Sequence, residues 1–135
     1  MILIACIDDD FGLSFNGRRQ SRDKAVCADI CSGLEGKRLW LSPRSAPLFE
    51  GMEADMFPCE DFAERCGSDE YCFLEFSYPS AMKSSTEKLI IYRWNRSYPS
   101  DIKFDISLEE WRLEELKEFP GSSHDKITKE VYVRE

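Results

Sequence analysis

The side chains best suited to chemistry are a run of acids near the start of the chain and one histidine near its end. Asp8, Asp9 and Asp10 offer the oxygen ligands that hard cations prefer. Consecutive residues of an extended chain alternate faces, so at most two of these acids would converge on one ion. His124 and Asp125 are an acid–base combination, but adjacent residues in a Ser-Ser-His-Asp turn usually point apart. We therefore interpret them as a solvent-exposed turn.

Nucleophiles and metal-binding thiols are the next candidates. Ser14 and Ser45 have no histidine or lysine nearby in the sequence to act as a base, so the sequence does not support nucleophilic catalysis. Cys27 and Cys31 are four residues apart and would present two thiols on one helix face. The other cysteines lack the spacing of zinc ligands. We expect no metal site, and most thiols to be buried as small apolar side chains in a reducing compartment.

Length and composition fit one domain that spans residues 1–135. The chain is 42% hydrophobic and 13% aromatic, and a chain of this size buries roughly two thirds of its unfolded surface. No apolar run reaches the ~18 residues that a membrane span requires. The apolar start is followed at once by Asp8, so we interpret it as a buried strand and not a signal peptide. These features predict a cytoplasmic protein without a membrane partner.

The charge balance limits the kind of partner. A net charge of -8 opposes binding to a polyanion, so a nucleic-acid partner is not expected. Arg18, Arg19 and Arg22 form a basic cluster, and two further arginines flank Trp94. We interpret the cluster as a solvated loop. A small-molecule ligand is the partner that the composition leaves open, and the oligomeric state is not indicated.

Hydrophobic patterns predict the elements that would position these side chains. The continuous apolar run at Ile2–Ile7 and the β-forming residues at 88–94 are typical of central strands. A helix with Ser21 as its cap and Asp23 in its first turn would end at Gly33. The remaining predictions are a loop at 8–17, strands at 38–42, 56–57 and 71–76, and short helices at 45–49, 60–66 and 79–86.

The last third of the sequence supports two interpretations. Ser107 and Glu110 fit a capping box, and the apolar spacing that follows favours a helix to about residue 117. The alternating strand at 127–134, however, needs a partner, and residues 112–119 are the nearest candidate. We prefer a short turn followed by a hairpin. The chain is then α/β, with a mostly parallel central sheet, flanking helices and a C-terminal antiparallel hairpin.

Several short motifs follow one another in a recognisable order. Residues 4–17 read Ile-Ala-Cys-Ile-Asp-Asp-Asp-Phe-Gly-Leu-Ser-Phe-Asn-Gly, and residues 39–46 read Leu-Trp-Leu-Ser-Pro-Arg-Ser-Ala. They are followed by Phe104-Asp105, Trp111, Glu118-Phe119, Ser123-His124 and Val131-Tyr132-Val133. This order resembles the dihydrofolate reductase family over nearly the whole chain. The resemblance implies a dihydrofolate reductase-like fold.

The resemblance also implies where catalysis would occur. The family holds its substrate with a carboxylate on the first helix that assists protonation. Asp23 is the nearest acid in position and Asp29 lies a turn and a half later, but neither aligns without a shift. For Asp23, a helix N-terminal charge favoured by the helix dipole is the alternative interpretation. The Pro-Trp of the family's substrate loop is absent, and residues 18–21 stand in its place.

The cofactor side departs further from the family pattern. Arg44 and Ser45 fall where the family has a Gly-Arg-x-Thr turn onto the cofactor phosphate. Glu75 and Phe76, followed by Ser77, stand where the family has a Gly-Gly pair that lets the backbone approach the pyrophosphate. The chain is also shorter, by about one strand between residues 50 and 60. A conventional NADPH site is therefore not expected.

Two functions remain open from the sequence. The first is a divergent dihydrofolate reductase-like binding or regulatory module that has lost NADPH-dependent reductase activity and needs no cofactor. The second is an NAD(P)H-dependent oxidoreductase acting on a pterin or a similar heterocycle. It would use Asp23 or Asp29 as proton donor and Arg44 at the cofactor phosphate.

Overall fold

The computed structural model describes residues 1–135, which form ten strands and two α-helices. The strands are β1 (Ile2–Ile7), β2 (Gly12–Phe15), β3 (Arg18–Arg19), β4 (Leu39–Leu41), β5 (Met56–Pro58), β6 (Tyr71–Phe73), β7 (Lys88–Arg93), β8 (Ile102–Lys103), β9 (Trp111–Phe119) and β10 (Ile127–Arg134). The helices are α1 (Lys24–Ser32) and α2 (Phe62–Arg65), with 3₁₀ helices at Ala46–Phe49, Pro79–Ser85 and Leu108–Glu110. None of the helices has the length and apolar character needed to cross a membrane.

Seven strands form one sheet in the order β5-β4-β6-β1-β7-β10-β9. The pairs from β5 to β7 are all parallel, whereas β10 is antiparallel to both β7 and β9. The predicted mostly parallel sheet with a C-terminal hairpin is confirmed. The competing helix in the last third of the chain does not form, because β10 gains its partner in β9 and only a 3₁₀ turn precedes that strand.

The central strand β1 separates two apolar cores. Its side chains alternate, so Leu3 and Ala5 pack into one core and Ile4 into the other. Helix α1 covers the Ile4 face through Val26 and Ile30, as its apolar stripe predicts. Both faces of the central strands are therefore buried, which is why β1 is a continuous apolar run.

Three local predictions were wrong. The cap of α1 is Asp23 and not Ser21. Strand β6 ends at Phe73, not at residue 76, so Glu75 and Phe76 lie beyond the carboxyl end of the strand. The predicted loop at 8–17 contains β2, which pairs with β3 and β8 in a separate three-stranded sheet. Short strands of this kind have too few residues to leave a periodic signal.

Candidate functional site

The carboxyl ends of the parallel strands lie together at one edge of the sheet. Ser45 follows the end of β4, and Glu75 follows the end of the adjacent β6. Ligands of open α/β sheets bind outside these carboxyl ends. The segments predicted to meet at a cofactor phosphate therefore do lie side by side.

The Glu75 carboxylate fills the space between these segments. It accepts a hydrogen bond of 2.7 Å from the Ser45 hydroxyl and two from the Arg19 guanidinium, at 2.9 and 3.0 Å. Glu75 is only 8% exposed. A two-pronged guanidinium contact plus a hydroxyl is a donor set that suits a bound anion, and here the anion belongs to the chain itself. Hydrogen bonding to Glu75, the largest effect, raises the pKa of Arg19.

Phe76 and Arg44 lie over this ion pair. The Arg44 guanidinium carbon is 4.2 Å from the centre of the Phe76 ring, within cation–π range. Arg44 also donates to the carbonyl of Gly17, and its own carbonyl accepts from Arg19 at 3.1 Å. We call Arg19, Arg44, Ser45, Glu75 and Phe76 the Glu75 cluster.

Two sequence expectations need adjustment at the Glu75 cluster. The interpretation of Arg18, Arg19 and Arg22 as a solvated loop is wrong for Arg19, which is paired with a buried acid. Sequence reasoning missed Arg19 because 56 residues separate it from Glu75. Ser77, predicted alongside Glu75, is exposed and makes no hydrogen bond to the cluster.

Asp23 anchors the loop between β9 and β10 to the start of α1. Its carboxylate accepts hydrogen bonds from the backbone N–H groups of Ala25 at 2.9 Å, Ser122 at 2.9 Å and Ser123 at 2.8 Å. Burial by itself would raise the pKa of Asp23, but the hydrogen bonds from Ser122, His124 and Ser123 hold it well below its usual value. The carboxylate is thus ionised and held in place. A proton-donor role for Asp23 stays a prediction.

His124 is buried, so the prediction of a solvent-exposed turn is wrong for this residue, whereas Ser122, Ser123 and Asp125 are exposed. Its Nδ1 atom lies 2.9 Å from Oδ2 of Asp23. Its ring stacks on Trp94, with 4.7 Å between centroids and 20° between planes. Its Nε2 atom is 2.9 Å from the Tyr98 hydroxyl and 3.2 Å from the Ser21 hydroxyl. Nothing in the local pattern indicates this, because 101 residues separate His124 from Asp23.

Asp29 lies on a different side of α1. Its carboxylate accepts from the Tyr92 hydroxyl at 2.6 Å and from Lys129 at 2.9 Å, and Lys117 is 3.4 Å away. Burial by itself would raise the pKa of Asp29, but Tyr92 and Lys129 lower it overall. Asp29 thus faces β7, β9 and β10 and is not brought to the Glu75 cluster. Its predicted proton-donor role also stays untested.

A cleft of about 640 Å³ lies between the start of α1 and the Ala46–Phe49 turn. Cationic, acidic, hydroxyl and apolar side chains line it, namely Arg22, Asp23, Lys24, Cys27, Pro47, Leu48, Glu50, Ser122 and Ser123. Its mixed lining and its size suit a polar small molecule.

Two of the remaining sequence candidates, Asp8 and Cys27, have structural roles. Asp8 accepts backbone hydrogen bonds from Gly12 at 2.7 Å and Tyr98 at 2.9 Å, so it braces the loops that follow β1 and β7. No group of three or more histidine, cysteine or acidic side chains is arranged to hold a metal ion. Burial, the largest effect, raises the pKa of Cys27 to about 11, so this thiol is protonated at neutral pH.

Comparison with known proteins supports the fold. No protein-family model matches the chain, and no curated protein matches it by sequence. Among solved structures, it is similar to a dihydrofolate reductase from Enterococcus faecalis complexed with NADP(H) and RAB-propyl. The TM-score is 0.66 at 10% identity, over 98% of this chain and 95% of that chain. The chain therefore has the predicted dihydrofolate reductase-like fold, and at this identity the likeness concerns the fold alone.

Proposed function

We propose that this chain is a binding or regulatory module in which its own Glu75 takes the place of a cofactor phosphate. It is then not a conventional NADPH-dependent reductase. The observation that carries the proposal is the Glu75 carboxylate, buried and bonded by Arg19 and Ser45 at the carboxyl ends of β4 and β6. Of these two donors, Ser45 is one that the resemblance assigns to the cofactor phosphate, and Arg19 is a further cation at the same place.

Electrostatics oppose a phosphate at this position. Two like charges about 4 Å apart repel by about 4 kcal/mol at an effective dielectric constant of ~20. Such a penalty corresponds to roughly a thousandfold loss of affinity. The donors that would offset it, Arg19 and Ser45, are already bonded to Glu75.

Sterics act in the same direction. The resemblance implies a glycine pair after β6, where the backbone approaches the pyrophosphate closely. Phe76 instead carries a ring that Arg44 covers at 4.2 Å. Moving the ring aside would break this cation–π contact.

The pKa values of Asp23 and Asp29 also favour a protein that is not a reductase. General-acid catalysis is most efficient when the pKa of the acid lies near the working pH. The pKa values of Asp23 and Asp29 are both lowered. Each carboxylate is surrounded by hydrogen-bond donors that favour its ionised form.

The ligand we propose for the module is a polar small molecule in the 640 Å³ cleft beside α1. The cleft offers Arg22 and Lys24 to an acidic group and Leu48 to an apolar one. It lies on the α1 side of the molecule, so the Glu75 cluster does not need to open for a ligand to enter.

The alternative is an NAD(P)H-dependent oxidoreductase acting on a pterin or a similar heterocycle. It is supported by the likeness to a reductase complexed with NADP(H) and by the place of Arg44 beside the β4 end. It requires Asp23 or Asp29 to supply a proton and requires Glu75 to move.

Isothermal titration calorimetry of the purified chain with NADPH, and separately with NADP⁺, discriminates the two functions. We expect no heat of binding up to millimolar cofactor. Saturable binding at micromolar concentration would overturn the module proposal and support the reductase. Adenosine is a suitable control ligand, because it has the base and ribose without the phosphates.

A further inference from the structure

A serine, a histidine and an aspartate from separate parts of the chain form one hydrogen-bonded line. Ser21 Oγ lies 3.2 Å from His124 Nε2, and His124 Nδ1 lies 2.9 Å from Asp23 Oδ2. We propose that Ser21, His124 and Asp23 form a nucleophilic triad that hydrolyses small carboxylic esters. Such a triad is recognised by geometry and not by sequence order.

The histidine–aspartate half is fixed in orientation. The Asp23 and His124 side chains are 0% and 2% exposed. Because an ionised carboxylate only accepts hydrogen bonds, Nδ1 of His124 carries a proton, and in the neutral imidazole the lone pair is therefore on Nε2. The backbone N–H groups of Ser122 and Ser123 hold the Asp23 carboxylate, and Trp94 stacks on the imidazole. The imidazole is thus held in the tautomer that a general base requires.

The nucleophile is half-buried and has donors beside it. The backbone N–H groups of Ser21 and Arg22 donate to no acceptor in the protein. An N–H of the nucleophile itself and one from a neighbouring residue can bind the oxyanion of an acyl-transfer reaction. The Tyr98 hydroxyl, 2.9 Å from Nε2, competes with Ser21 for the lone pair in the resting protein. It is 3.4 Å from Ser21 Oγ, so either hydroxyl can donate to the same nitrogen.

The surroundings indicate the substrate class. Residues 22–24 follow Ser21 directly and line the 640 Å³ cleft, so the cleft begins one residue after the nucleophile, although Ser21 and His124 themselves do not line it. Arg22 and Lys24 would attract an acidic group, and Leu48 and Cys27 offer apolar contact. The triad therefore fits a small ester that carries a negatively charged group.

The reaction requires only water as a second reactant. Ser21 Oγ bonds to the carbonyl carbon while its proton passes to His124 Nε2 and the carbonyl electron pair moves onto oxygen. As that pair returns, the bond to the alcohol breaks, and the alcohol oxygen takes the proton from Nε2. Water then attacks the acyl-serine, again giving a proton to Nε2, and releases the carboxylic acid as Ser21 regains its proton.

The triad uses the cleft that we propose for the ligand of the module, and its substrate class rests on that proposal, but none of these three side chains belongs to the Glu75 cluster. NADPH binding by the chain would overturn the module proposal and leave the triad unaffected. Loss of the triad would likewise leave the module proposal standing.

Covalent labelling with a fluorophosphonate, located by peptide mass spectrometry, tests the triad in the full chain. We expect an adduct on Ser21 in the wild-type chain and in the control Ser68→Ala, which removes an exposed serine near the amino end of β6. Ser21→Ala should abolish labelling. His124→Gln should slow it by ~100-fold or more, the usual contribution of a general base. Hydrolysis of 4-nitrophenyl acetate should follow the same order.

The wild-type protein alone can overturn the proposal. An absence of adduct on Ser21, or adducts spread evenly over exposed serines, would exclude an activated Ser21. A folded His124→Gln variant that labels as fast as the wild type would equally exclude His124 as the base. If His124→Gln does not fold, the selectivity of labelling in the wild type decides the question.

Discussion

Replacing Glu75 by serine should convert a closed phosphate position into an open one. The substitution removes the carboxylate and frees the Arg19 guanidinium and the Ser45 hydroxyl, which now donate to it at 2.7 to 3.0 Å. Both donors then face the edge of the sheet where ligands bind. We expect Glu75→Ser to bind NADPH although the wild type does not.

The expected gain in NADPH affinity follows from removing the negative charge of Glu75. The Arg19 side chain is 21% exposed, so solvent screens the site in part. We therefore reduce the like-charge repulsion from about 4 kcal/mol to about 3 kcal/mol. A gain of that size is about 100-fold, from a Kd weaker than ~1 mM to one near ~10 μM. Loss of the hydrogen bonds between Arg19 and the carboxylate should lower the free energy of unfolding by about 2–3 kcal/mol.

Calorimetry with NADPH and urea denaturation measure the two effects on the same samples. Glu70→Ser is the matched control, because Glu70 lies at the opposite end of β6 and accepts from the Trp40 indole at 3.0 Å. It removes the same charge from the molecule, so a general electrostatic effect would raise affinity equally in both variants. A folded Glu75→Ser variant that binds NADPH no better than Glu70→Ser would refute the idea that the Glu75 charge, rather than the Phe76 ring, is what closes the site.

Three further predictions concern the buried network and helix α1. Because folding lowers the pKa of Asp23, its carboxylate stabilises the folded protein at pH values above the unfolded pKa of about 4. This stabilisation is lost as the pH falls toward the folded pKa. In urea titrations Asp23→Asn should cost about 2–3 kcal/mol at pH 7 and less at pH 3, and a deficit independent of pH would contradict this. Gly121→Ala should destabilise by about 2 kcal/mol or more, because the new Cβ would lie 2.5 Å from Asp23 Oδ2. Gly33→Ala, whose new Cβ would have its nearest contact at 3.4 Å, should be nearly neutral when both glycine variants are compared by thermal unfolding. Equal losses of stability in the two variants would contradict the steric argument. Tyr92→Phe removes the hydroxyl that donates to Asp29 at 2.6 Å and should cost about 1–2 kcal/mol in urea, whereas no change would show that solvent replaces this bond.

Much of the fold was predictable because its signals are local. The apolar run at Ile2–Ile7 indicates a strand buried on both faces, and β1 is the central strand between two cores. The alternation at 127–134 required a partner, and that requirement correctly outweighed the helical spacing before Phe119. Where a signal depended on one or two residues, as at the cap of α1, the prediction was wrong by two positions.

The site was predictable only where segments adjoin strand ends. Ser45 and Glu75 follow adjacent parallel strands, and it was the family resemblance, not the strand pattern, that assigned both to one cofactor phosphate. That Glu75 is held by Arg19 was not predictable, since a short strand in a separate sheet places Arg19 there. The same applies to His124, which the β9–β10 loop carries back to the start of α1.

The sequence by itself determined the α/β class, the terminal hairpin and the presence of Glu75 and Phe76 where the family resemblance implies a glycine pair, because these are properties of neighbouring residues. Only the tertiary structure decided what those residues do. It alone paired Glu75 with Arg19 and brought His124 to Asp23 and Ser21. Such contacts join residues 56 to 103 positions apart. Their formation depends on strand order and loop packing, which periodicity and spacing do not encode.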